Sequence, residues 1–78
     1  MQLLFANSQI EKLCTSPERA VMKYGARCAR ILLDRMRQMR LAENLRELSQ
    51  QAGHFHALTG ERKGQWACRL QGGLRLVF

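Results

Sequence analysis

The segment Trp66-Ala-Cys-Arg-Leu-Gln-Gly-Gly-Leu-Arg-Leu-Val-Phe78 constrains the fold more than any other stretch, because it admits only one sensible strand register. Two runs of alternating apolar character flank Gly72-Gly73, the pattern of a β-hairpin. A two-residue turn would pair Leu70 with Arg75 and mix the faces. A three-residue loop, Gln71 to Gly73, pairs Leu70 with Leu74 and Cys68 with Leu76. That register places Trp66, Cys68, Leu70, Leu74, Leu76 and Phe78 on one apolar face and sets Arg69 beside Arg75 on the other, since a slip of one residue exchanges the faces. Like charges directly opposite each other weaken a ladder unless an anion lies between them. The arginine pair therefore points to an anionic ligand.

The rest of the chain supplies the layer that covers the hairpin. Gln2 to Ala6 is short and apolar with no helix cap before it, which predicts a buried N-terminal strand. Ser8-Gln9-Ile10-Glu11 matches a capping box and predicts a helix from Ser8 to about Cys14. Ser16-Pro17-Glu18 is a second start, with Ser16 as N-cap and Pro17 where its missing N–H costs nothing, and it predicts a long helix to about Leu41. At 100° per residue Val21, Cys28, Ala29, Leu32, Met36 and Met39 share one side of that helix, while Arg19, Lys23, Arg27, Arg30 and Arg37 form a basic stripe on the other. Gly25 within it marks either a close packing contact or a kink. Met22, Met36 and Met39 read as core filling. Ala42 to Ser49 adds a helical turn with Leu45 and Leu48 as anchors, Gln50 to Gly53 is loop, His54 to Leu58 is a strand, and Gly60 to Gly64 is a charged turn. The expected fold is a single α+β domain over residues 1–78, a two-helix hairpin packed on one face of an antiparallel sheet.

Charge and cysteine content narrow the class. Thirteen Lys and Arg against six Asp and Glu give a net charge of +7, which favours an anionic partner, nucleic acid above all. The excess lies in residues 18–50 and 51–78, whereas residues 1–17 balance. Cys14, Cys28 and Cys68 are odd in number, far apart and without metal-ligand spacing, so they read as small core residues of a reducing, cytoplasmic protein with neither metal nor cofactor. Met1 to Ile10 is too short to span a bilayer and has no basic region before it, so no signal peptide or anchor is expected.

Cleaving RNA without a metal requires a group to take the 2′-hydroxyl proton, one to protonate the leaving oxygen, and cations to hold the charged phosphorane. The last third of the chain offers His54, His56, Arg62, Lys63, Arg69 and Arg75. His54 and His56 are two residues apart, so on a strand both face the same way, and imidazole exchanges protons near neutrality. Trp66 reads as a core anchor.

The run His56-Ala-Leu-Thr-Gly-Glu-Arg-Lys-Gly-Gln-Trp66, with Gly73-Leu-Arg-Leu-Val-Phe78 after it, resembles the HigB-type killer proteins of plasmid maintenance systems, within the RelE/ParE toxin superfamily. Lys23-Tyr-Gly-Ala-Arg27 and Ala42-Glu-Asn-Leu45 resemble that family's helix and connector, and the likeness extends over nearly all of the chain. It implies a toxin of a type II toxin-antitoxin system, held inactive by a cognate antitoxin of helix-turn-helix type, that acts on the ribosome as an endonuclease cutting mRNA. It also implies His56 and Arg75 as catalytic residues; from the chain's own basic last third, Arg62, Lys63, Arg69 and His54 are the expected RNA or phosphate ligands. Two other readings stay open: a ParE-like inhibitor of DNA gyrase, and a shortened form that only binds antitoxin. Thr59 stands where relatives often have lysine, and Gly73 where many have asparagine. The family's last strand and its C-terminal Tyr/His/Asp cluster have no counterpart before Phe78, so the expectation is an exposed ladder edge and homo-oligomers formed through it.

Overall fold

The computed structural model describes all 78 residues, Met1–Phe78. Helices α1 (Ser8–Thr15), α2 (Pro17–Tyr24), α3 (Ala26–Leu41) and α4 (Leu45–Ser49) precede β1 (His56–Ala57), a 3-10 turn at Gly60–Arg62, β2 (Trp66–Arg69) and β3 (Arg75–Val77). The strands form one antiparallel sheet in the order β1-β2-β3. The architecture is α+β, with four helices rather than a simple helical hairpin. No helix is long and apolar enough to cross a membrane.

Helices α1, α2 and α4 each start where a short polar side chain satisfies a free amide, whereas α3 starts at Gly25 with no side-chain cap. Asn7, not Ser8, caps α1: its extended backbone frees the side-chain oxygen to accept from the Ile10 N–H at 2.9 Å. Asparagine caps at least as well as serine, so the expected box is displaced by one residue. Ser16 caps α2 with Pro17 at the first position, and Asn44 accepts the Glu47 N–H at 2.8 Å to start α4.

The long helix divides at Gly25. That residue has φ 84° and ψ 163°, a region almost closed to residues with a Cβ, and a Cβ built there meets nothing within 4 Å. Gly25 therefore serves backbone geometry, not close packing. The break changes the phase of α2: Ala20 is buried while Val21 and Met22 are exposed, Met22 at 86%, so Met22 is not core filling. It also divides the expected basic stripe between two helices, Arg19 and Lys23 on α2, and Arg27, Arg30 and Arg37 on α3.

The core is the buried side of α3 against the sheet. Ala29, Leu32, Met36 and Met39 join Cys14, Ala20, Ala42, Leu48, Phe55 and Cys68, with Trp66, Leu70 and Leu76 packed at its margin. Leu48, fully buried, anchors the connection from α3. The hairpin has the three-residue register: Cys68 pairs with Leu76 and Arg69 with Arg75, and Leu70 N–H donates to the Leu74 carbonyl at 3.0 Å.

Gln2 to Ala6 is not a strand. It has the extended habit the pattern predicts, since Met1, Leu3 and Phe5 pack on the core while Leu4 is 88% exposed. A strand also needs a neighbour to pair with, and the sheet ends at β3. The segment is held at its start instead, where the Met1 ammonium donates to the carbonyls of Met39, Arg40 and Ala42. A cation at the negative end of the α3 dipole is favourable.

Candidate nucleic-acid interface

Direct cross-strand partners share a face of the sheet, so the register alone assembles the site. His56 pairs with Ala67, which pairs with Val77, and the next row joins Arg69 to Arg75. Trp66 and Phe78 exchange two backbone hydrogen bonds, at 2.7 and 2.8 Å, and the Leu70 N–H bonds Leu74. The alternation of an antiparallel ladder then makes Arg69/Arg75 a pair without backbone hydrogen bonds between them, the closer kind, with Cα atoms about 4.5 Å apart. Both arginines are exposed. The guanidinium hydrogen bonds in the molecule belong to Arg35 and Arg62, so the two ladder arginines face solvent without an internal acceptor.

His54 reaches this face by a different route from the one expected. It lies before β1 with φ 56°, a left-handed conformation uncommon for a residue with a side chain. The preceding Gly53 carbonyl accepts the Arg69 N–H at 2.8 Å, which holds the turn against β2. The two imidazoles lie with ring centroids 4.7 Å apart, and His56 Nδ1 is 2.9 Å from the His54 carbonyl. A carbonyl only accepts, so Nδ1–H of His56 is the donor. In the neutral ring this leaves Nε2 unprotonated and free to act as a base.

The structure thus gathers His54, His56, Arg69 and Arg75. Arg62 and Lys63 belong to the turn between β1 and β2, at the other end of β2 from Arg69, and Arg62 is engaged with Gln65 at 3.2 Å. With a rise of about 3.3 Å per strand residue, they border the face at a distance of one β2 length and do not join its centre. No group of three or more His, Cys, Asp or Glu side chains is placed to hold a metal ion.

Sequence reasoning missed Arg35. Its Nε donates to the Arg69 carbonyl at 2.9 Å and Nη1 to Gln38 Oε1 at 3.0 Å, and the guanidinium lies over Gly53, where a Cβ would come within 2.8 Å of Cζ. Arg35 ties α3 to the β-strand that carries Arg69. The signal was its position: three residues after Leu32 and four before Met39, it borders the buried side of α3 and lies off the basic stripe. Behind the ladder, Cys68 is buried, and burial pushes its thiol up to about 11, with Arg35 and a backbone hydrogen bond at Leu76 pulling the other way. It stays protonated and inert at neutral pH.

Fold and site together define a small α+β domain with a basic, histidine-bearing sheet face. No family model matches the chain, and no curated protein or solved structure matches it either.

Proposed function

We propose that this chain is a toxin of the RelE/ParE superfamily, of HigB type, acting in the cytoplasm on mRNA held in the ribosome and neutralised by a cognate antitoxin. The reading rests on the resemblance of His56–Trp66 and Gly73–Phe78 to that family, and one structural observation carries it. Two arginines face each other across a ladder, with no internal acceptor, beside a histidine whose Nε2 is left free.

The chemistry follows from these groups. Nε2 of His56 takes the 2′-hydroxyl proton as that oxygen attacks phosphorus. Arg75 and Arg69 hold the non-bridging oxygens, whose charge grows in the phosphorane. The bond from phosphorus to the 5′ oxygen then breaks, and the leaving oxygen takes up a proton returned from the His56 imidazolium, directly or through solvent. The products are a 2′,3′-cyclic phosphate and a 5′-hydroxyl, with no net consumption of protons.

In vitro translation with mapping of mRNA ends tests the proposal. Discrete cuts that need ribosomes, and that are lost in His56→Ala and Arg75→Ala, support it. Arrest of DNA gyrase supercoiling without RNA cuts would assign the protein to the gyrase inhibitors. Intact mRNA and unaffected gyrase, with antitoxin still bound, would leave only a binding module.

A further inference from the structure

The ladder between β1 and β2 breaks register at one residue. His56 pairs with Ala67 and Ala57 with Trp66, and the Leu58 N–H bonds the Gln65 carbonyl at 2.8 Å. Antiparallel alternation then makes Leu58/Gln65, His56/Ala67 and His54/Arg69 the rows whose peptide groups bond across, so the regular partner of Arg69 is His54. The structure departs there. The Arg69 N–H bonds the Gly53 carbonyl at 2.8 Å, one residue early, and the Arg69 carbonyl accepts from Arg35 Nε at 2.9 Å. Arg35 thus takes the place that the His54 N–H would hold in an unbroken ladder.

This replacement has a chemical result. Released from Arg69, the carbonyl of His54, a residue at φ 56°, accepts from His56 Nδ1–H at 2.9 Å. That bond selects the tautomer with a bare Nε2, whereas a histidine ring free in water favours the proton on Nε2. A strand of two residues, β1, is too short to hold the turn before it, and the anchors come from α3. Arg35 Nη1 donates to Gln38 Oε1 at 3.0 Å, and Gln38 Nε2 donates to the Ala52 carbonyl at 2.8 Å and to Gln51 Oε1 at 3.3 Å. Three residues apart on a helix, the two side chains share one face. The guanidinium lies so close over Gly53 that a Cβ there would meet Cζ at 2.8 Å. Arg35 and Gln38 are half-buried, which strengthens such a network by keeping water from competing.

We propose that Arg35, braced by Gln38, is a positioning residue that sets which nitrogen of His56 carries the proton. By taking the Arg69 carbonyl it keeps the chain one residue out of register, and the His54 carbonyl is left to hold Nδ1–H. Arg35 acts through the backbone of Gly53, His54 and Arg69, and its bonds are all internal. Its importance for cleavage rests on the reading of His56 as the base. Its effect on the tautomer does not, and is measured without RNA.

Long-range ¹H–¹⁵N correlation spectra of the ¹⁵N-histidine-labelled protein, recorded above the imidazole titration range, show which ring nitrogen is protonated; His56→Gln identifies the signals by their loss. The parent should hold His56 mainly in the Nδ1–H form. Arg35→Met keeps the stem and removes the donors, so it should move most of the population to Nε2–H. Arg35→Lys, which restores a donor for the Arg69 carbonyl, should stay near the parent. Should Arg35→Met unfold, Gln38→Met decides, since it removes the acceptor that orients the guanidinium and should move the same signals in the same direction. In ribosome-dependent cleavage Arg35→Met should lower kcat about tenfold and leave KM unchanged. A parent that cuts no RNA would defeat the nuclease reading alone. An Nε2–H ring in the folded parent, a tautomer unmoved in the folded variant, or an Arg35→Lys protein as altered as Arg35→Met would each overturn the positioning role.

Discussion

Arg75→Gln should stabilise the fold while weakening its hold on RNA. The register places Arg69 and Arg75 as a closely spaced pair with no backbone hydrogen bonds between them. Extended side chains set the two guanidinium groups roughly 7 Å apart, where unit charges in water repel by about 0.6 kcal/mol. At 0.01 M salt the screening length is about 30 Å and most of that repulsion survives; near 0.15 M it is about 8 Å and about 0.25 kcal/mol remains. For a domain of this size 1 kcal/mol moves the melting temperature by about 4–8 °C, so the gain should be about 2–4 °C at low salt and should vanish at 1 M. Arg75→Lys, which keeps the charge, should show no such gain. Binding of a single-stranded oligoribonucleotide, followed against salt, should lose about 0.7 from its log–log slope if one phosphate contact disappears. Melting curves of the three proteins at three salt concentrations decide the matter. A variant no more stable than its parent at low salt, or a gain that persists at 1 M, would refute the idea that this ladder carries an unbalanced charge pair.

Other consequences are as direct. Gly25→Ala forces a Cβ into a conformation reserved for glycine and should cost about 1–3 kcal/mol, while D-alanine introduced there by synthesis should cost almost nothing, as denaturant titration of the two proteins will show. Gly53→Ala places a Cβ 2.7 Å from Arg35 Nε, so the guanidinium must leave the Arg69 carbonyl; the loss should be roughly 1–3 kcal/mol and should shrink in an Arg35→Ala background, a double-mutant cycle. Cys68, ordinarily near 9.0, is pushed to about 11 by burial. Above pH 9 the unfolded chain releases this proton before the folded one does, so stability should fall between pH 9 and 11 by roughly 1–3 kcal/mol, a slope that should be smaller in Cys68→Ala, where the buried Cys14 thiol, also raised by desolvation, still contributes.

The hairpin was legible because its information is local. Apolar alternation, two glycines and the cost of burying an arginine together select one register, and Cys68 pairs with Leu76 as they require. Ser16-Pro17 was legible for the same reason: the cap and the first turn lie within four residues. Gly25 was only half legible. Its type announced an anomaly, but φ is a property of how α2 and α3 pack, and the phase of Ala20, Val21 and Met22 changed with it. The site divides in the same way. The pairing of Arg69 with Arg75 came from the register, while the proximity of His54 to His56 depends on a left-handed residue outside the strand, held where the Arg69 N–H meets the Gly53 carbonyl.

The N-terminal segment carries the more general point. Its composition encodes a preference for extended backbone and for an inward face at Met1, Leu3 and Phe5, and the structure has both. Strand formation is nevertheless a property of two segments, because the peptide groups gain their hydrogen bonds only from a neighbour. Leu3 to Phe5 faces β3 across an apolar gap, and β3 in turn leaves the peptide groups of Arg75 and Val77 unpaired on that side. The residue pattern that predicts a strand, and the structure that lacks one, are therefore consistent: the preference for extended backbone is written in the chain, and a strand needs in addition a neighbour whose peptide groups can pair with it.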